Sequence, residues 1–103
     1  MKNIIKHSVF SICFLWIVFY NSFRAQSSKI DSLNIVISKS QDDTLKCESF
    51  GELGSLYYYS GNLSEALKSY SKALSLSQKL KYKRGIANSY SEIGMVQEAQ
   101  GNY

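Results

Sequence analysis

Apolar positions along this chain recur at helical spacing rather than in alternation. Phe50, Leu53, Gly54 and Tyr57 stand at i, i+3, i+4 and i+7, which is one face of a helix. Leu63, Ala66, Leu67, Tyr70, Ala73 and Leu74 draw the same stripe on a second helix. Between them lies Ser60-Gly61-Asn62, where Gly accepts the left-handed conformation of a helix end and Asn caps the next N-terminus. Glu65, three residues after Asn62, completes a capping-box-like pattern. Phe50 to Ala73 is therefore expected to form an antiparallel helical hairpin, with Gly54 and Ala66 small enough for the two helices to approach closely. Around it, Ile30, Leu33, Val36 and Ile37 predict one short helix ending near Lys39. The next helix runs from about Asp43 to Tyr59, the third from about Leu63 to Lys81, and a fourth from about Arg84 to Gln100. Ile86, Tyr90, Ile93, Gly94 and Val96 form the apolar side of the last.

The central hairpin starts again further along. Ser49, Glu52, Gly54, Gly61 and Asn62 recur as Ser89, Glu92, Gly94, Gly101 and Asn102, all displaced by 40 residues. Phe50 to Tyr90, Leu53 to Ile93 and Leu56 to Val96 are conservative replacements at the same displacement. A period in this range, in helical sequence, means a solenoid whose hairpins bury their faces only against their neighbours.

The N-terminus follows a different pattern. Lys2 and Lys6 precede an apolar run from Val9 to Tyr20, broken only by Ser11, and small or polar residues follow as far as Ala25. This is the layout of a secretory signal, with cleavage expected after Ala25. The run of 12 residues is short for a bilayer span, which needs about 20. The alternative is an uncleaved N-terminal anchor, because Phe23 is bulky where a small residue is usual. Either way the remainder is expected to be exported, to the periplasm or the extracellular space. The organisation read from these patterns is a signal or anchor at 1–25, an N-terminal capping helix and linker at 26–42, a first repeat at 43–82, and the start of a second at 83–103.

Charge and chemistry narrow the functional classes. Lys2, Lys6 and Arg24 account for three of the 12 basic residues, so the chain after Ala25 carries nine against eight acidic residues, net +1. The clustered basic face that nucleic acid binding requires is missing. The remaining group, Lys79, Lys81, Lys83 and Arg84, is expected to meet the C-terminal dipole of a helix. Asp42 and Asp43 precede a helical run and are read as N-terminal capping residues. Cys13 leaves with the signal and Cys47 stays alone, placed at the start of an apolar face and read as packed. The one histidine, His7, lies in the signal, which takes the commonest general base and metal ligand from the rest. No metal-ligand spacing, phosphate-binding Gly-rich loop or nucleophile elbow is present. A catalytic role, a cofactor and a metal are all unsupported, and the chain is not expected to be an enzyme.

Phe50, Leu53, Gly54, Tyr57, Gly61, Ala66, Tyr70 and Ala73 together resemble the tetratricopeptide repeat, and Tyr90, Ile93, Gly94 and Gly101 begin a second copy with Gln97 where Tyr is usual. The resemblance covers about Asp43 to Tyr103. It implies an all-α fold of antiparallel helix-turn-helix repeats in a short right-handed solenoid, with the helix near Ile30 to Lys39 capping its start. Two departures, the missing repeat-ending proline and the period of 40, are similar to the exported repeat regions of bacterial sensor and regulator proteins. By that resemblance the chain is a noncatalytic protein-interaction module, the N-terminal part of a larger protein. The alternative it suggests is the sensory region of a two-component histidine kinase or transcriptional regulator. The first helices of successive repeats would line a concave groove for a protein or peptide. Glu48, Gly51, Ser55, Tyr58 and Tyr59 from the first copy, with Asn88, Ser91, Met95 and Glu98 from the second, would face it. Tyr58 and Tyr59 are the expected anchors, since aromatics with a polar tip are enriched in hot spots. The basic clamp for a C-terminal carboxylate is absent from these positions. One and a half repeats fall short of the three or so that a solenoid needs. A truncated chain, or self-association through the open last helix, is the corresponding expectation. Nucleic acid is not an expected partner, and membrane contact is expected only through an uncleaved N-terminal segment.

Overall fold

The chain forms four helices in a computed structural model that describes residues 2–101, with side chains from Ser11 onward. They are α1 (Lys2–Lys39), α2 (Thr44–Tyr59), α3 (Leu63–Lys79) and α4 (Lys83–Ala99). No strand occurs among the described residues. Asn102 and Tyr103, and the side chains of Lys2, Lys6 and His7, lie outside them.

The first helix is longer than its apolar stripe indicates. The short helix expected at Ile30 to Lys39 is the last part of a continuous 38-residue helix that starts at Lys2. Neither Pro nor Gly occurs before Gly51, so nothing in the sequence stops the helix between these points. Its two parts nevertheless differ in surroundings. Every side chain from Ser11 to Ala25 is exposed, including Phe14, Trp16 and Phe19. From Gln26 a stripe of Gln26, Ile30, Leu33, Ile37 and Ser40 turns inward at steps of four and three, against α2, the only helix that α1 packs on among the described residues. Val36, expected on that stripe, is instead half exposed, because it lies one residue off the seam. No described helix is long and apolar enough to cross a membrane.

Successive turns use one device at 20-residue intervals. After α2, Gly61 adopts φ 83°, its N–H donates to the Tyr58 carbonyl at 3.0 Å, and the Asn62 N–H donates to the Tyr57 carbonyl at 2.9 Å. This pair of bonds is the Schellman closure of a helix end. After α3 the same pair recurs, Lys81 N–H to Gln78 at 3.2 Å and Tyr82 N–H to Ser77 at 2.8 Å. The left-handed residue there is Lys81, with φ 56°. A side chain in that region costs about 1–2 kcal/mol, which the closure of the turn offsets. After α4, Gly101 takes φ 78°. Helix α3 therefore ends at Lys79 rather than Lys81, and the 40-residue period is two helix-plus-turn units of 20.

Caps match expectation at two helix starts and fail at the third. Asp43 caps α2 by accepting from the Lys46 N–H at 2.9 Å, and Asn62 caps α3 by accepting from the Glu65 N–H at 3.3 Å. The reciprocal half of a capping box is not made at Asn62, whose N–H is already committed to Tyr57. Asp42 binds Lys79 and Lys46, each at 3.1 Å, which lowers its pKa, Lys79 contributing most. Tyr82 begins α4 without a side-chain cap. The basic group is thus split: Lys79 lies in the last turn of α3, but Lys83 and Arg84 open α4, at the unfavourable end of its dipole. The chain folds back between them at Lys81, so the expected single C-terminal cluster does not form.

The core lies where α2, α3 and α4 meet. Ala66, Tyr70 and Val96 are fully buried, with Tyr57, Tyr58, Leu63, Leu67 and Ile93 packed around them. Gly54 is buried against the ring of Tyr70, as the small-residue argument expects. Tyr90 departs from its expected place: it is 57% exposed on the flank of α4 that no described helix covers, and it accepts a long hydrogen bond from Gln78.

Candidate protein-binding groove

Helices α2 and α4 stand side by side with α3 behind them, leaving a cavity of about 180 Å³ between the two. Its walls are one face of α2, carrying Glu48, Gly51, Glu52 and Ser55, and one face of α4, carrying Gly85, Asn88 and Glu92. Ala73 and Ser77 of α3 form the floor, and Tyr82 closes the end nearest the α3 to α4 turn. Small residues make this closeness possible. A Cβ at Gly85 would collide with the Ser77 hydroxyl and the Tyr82 ring, so only glycine lets α4 settle on α3 at this point.

The expected groove residues divide between this cavity and the surface beside it. Glu48, Gly51, Ser55 and Asn88 line it. Tyr58 is half buried against the core and meets the Tyr59 ring edge-on, centroids 5.4 Å apart. Tyr59 is 79% exposed. Ser91, Met95 and Glu98 are exposed on α4 outside the cavity lining. Glu52 and Glu92 line the cavity although they were not among the expected residues. A signal for them existed, since they occupy the same repeat position 40 residues apart. Ser77 and Tyr82 carried no such signal, because only the packing of α3 and its turn brings them here. Cys47 is buried at the cavity wall, as a packed thiol.

Three carboxylates face this space, and their surroundings differ. Glu48 Oε1 accepts from Arg84 Nη2 at 2.8 Å and from the Tyr82 hydroxyl at 3.0 Å. The Arg84 guanidinium also donates to the Tyr82 oxygen at 3.0 Å, and the Glu48 contact foremost holds it charged. Glu52 pairs with Lys29 of α1 at 3.0 Å, an exposed bridge of small energetic weight. Glu92 has neither an ion pair nor a hydrogen bond among the described residues, and burial raises its pKa. Beneath the wall, Ser55 Oγ donates to the Gly51 carbonyl and lies 3.1 Å from the Tyr70 hydroxyl. The Tyr70 hydroxyl is itself raised in pKa, chiefly by burial and against the Ser55 hydrogen bond, with Glu92 adding to the rise.

Paired helices of nearly equal length, closed by the same turn and leaving a groove between alternate members, define a helical-repeat protein of the solenoid class. The tetratricopeptide repeat family's sequence model matches residues 46–103, more than half of the chain, and the protein belongs to that family. Neither the curated proteins nor the solved structures compared with the chain give a match. Membership makes a protein-protein interaction role the general reading, with proteins or peptides as the partners such domains bind.

Proposed function

We propose that this chain is an exported, noncatalytic interaction module that holds an extended segment of another protein along the faces of α2 and α4. The observation that carries the reading is the cavity between these two helices, lined by Glu48, Gly51 and Ser55 of the first repeat and by Asn88 at the position of Glu48 one period later. Tyr59, exposed at the end of the same helix, supplies an aromatic contact with a polar tip. Peptides selected on the full chain from a random library test this. Tyr59→Ala and Asn88→Ala are each expected to weaken the selected peptides about tenfold, the loss of a hot-spot contact. Tyr59→Ala should leave unfolding free energy within about 0.5 kcal/mol. Tyr58→Ala, by contrast, removes packing and should destabilise by about 1–2 kcal/mol. Peptide affinities unchanged by both Tyr59→Ala and Asn88→Ala would overturn the groove.

Export rests on the basic start and apolar run before Ala25, and is supported by the exposure of Ser11 to Ala25, whose removal would strip no buried contact from the repeat. The expected product is a chain beginning at Gln26. Mass measurement of the secreted or periplasmic protein checks this, and a product retaining Met1 in the cytoplasm would contradict it.

A further inference from the structure

The cavity between α2 and α4 has unbalanced chemistry. Of its three carboxylates, Glu48 is held by Arg84 and Tyr82, and Glu52 by Lys29. Glu92 has no such counterpart among the described residues. Its oxygens face the bare backbone of α2: a Cβ built at Gly51 would stand 3.8 and 3.9 Å from them, so no side chain of that residue covers the carboxylate. On the floor, Ser77 is fully buried and its hydroxyl has no hydrogen-bond partner. Gly85 roofs that hydroxyl, so it offers no contact to a group entering the cavity. Burial disfavours the charged form of Glu92, which a cation would restore.

Size and donor arrangement define what fits. About 180 Å³ is below the roughly 300–1,000 Å³ of small-molecule sites, yet it admits the end of one long side chain. No three carboxylate, cysteine or histidine side chains converge as a metal site requires, among the described residues.

We propose that this cavity is a subsite for a basic side chain, a Lys or Arg of the bound segment, with Glu92 as its carboxylate partner. The inference rests on the reading of the α2 and α4 face as a peptide groove, and gives that groove a preference for cationic segments. Charge-assisted hydrogen bonds between ammonium or guanidinium and carboxylate are stronger than neutral ones, and a partly buried carboxylate is screened little by salt.

The test uses the isotope-labelled full chain and two blocked pentapeptides, Ala-Ala-Lys-Ala-Ala and its norleucine counterpart, which keeps the four-carbon stem of lysine and lacks its ammonium group. The Lys peptide is expected to shift the amide signals of Gly51, Ser55 and Gly85 and to lower the titration midpoint of the Glu92 carboxyl. Norleucine should leave that midpoint in place. Glu92→Gln should weaken the Lys peptide about tenfold and leave the norleucine peptide unaffected. Equal affinity of the two peptides, or a Glu92 titration that the Lys peptide does not move, overturns the basic-side-chain subsite. If both peptides still shift the groove amides in that case, the peptide-groove reading stands. If neither peptide shifts them, both readings fall.

Discussion

Gly54→Ala is expected to destabilise the protein by about 1–3 kcal/mol, whereas Gly94→Ala, at the same repeat position one period later, is expected to stabilise it by up to about 1 kcal/mol. The two glycines occupy equivalent sites on α2 and α4, so helix propensity favours alanine equally at both. Their surroundings decide the sign. A Cβ on Gly54 would lie 2.6 Å from both Cδ1 and Cε1 of Tyr70, and that ring is fully buried and wedged beside Ala66 and Val96. It has no space to retreat without shifting α3. A Cβ on Gly94 meets nothing within 4 Å. Urea unfolding of the two variants measures the difference directly. Equal and small effects at both sites would show that α2 and α3 are not in the close contact described.

Tyr70→Ala is expected to cost about 3–5 kcal/mol, the range for removing a fully buried aromatic ring. Small domains hold only about 5–15 kcal/mol in total, so the variant should be largely unfolded at moderate temperature. Tyr70→Phe separates ring from hydroxyl and is expected to cost about 1 kcal/mol, since the Ser55 hydroxyl keeps its bond to the Gly51 carbonyl when the Tyr70 oxygen leaves. The two positions are also coupled. Once the ring is gone Gly54→Ala has nothing to strike, so the double variant Gly54→Ala, Tyr70→Ala should be no less stable than Tyr70→Ala alone. A double variant that loses the sum of the two single effects would refute the contact, and Tyr70→Ala within about 1 kcal/mol of the parent would remove Tyr70 from the core.

Both effects follow from one geometric choice, the approach of α2 to α3, and the same choice forms the cavity. With Gly54 seated on Tyr70 and Gly85 seated on Ser77, α2 and α4 each lie close to α3. The faces of α2 and α4 that look toward each other are then left with the polar and small residues Glu48, Gly51, Glu52, Ser55, Asn88 and Glu92.

The sequence by itself determined the three helices after Asp43, their order and the repeat. The i, i+3, i+4, i+7 stripe from Phe50 to Tyr57 and its echo after Ser89, with Gly61 and Asn62 between, are local signals of helix face, helix end and helix start. Local chemistry is enough to decide such features, because each bond involved spans only three to five residues. Where local signals were weak or silent, only the tertiary structure decided. Lys81 takes the left-handed turn position that Gly fills at 61 and 101, because the packing of α4 on α3 requires a turn there whichever residue is present. The sequence places a boundary at Ala25, and only the structure shows that the exposed part before Gln26 and the packed part after it are one continuous helix. Tyr58 and Tyr59, neighbours of one chemistry, part ways because successive residues on a helix point about 100° apart, and the core lies on one side only. Above all, Glu92 faces Gly51 across 41 positions of chain, with Ser77 from a third helix below, an arrangement no spacing rule contains. It exists because three helices meet, and the charge left unpaired there is a property of that meeting.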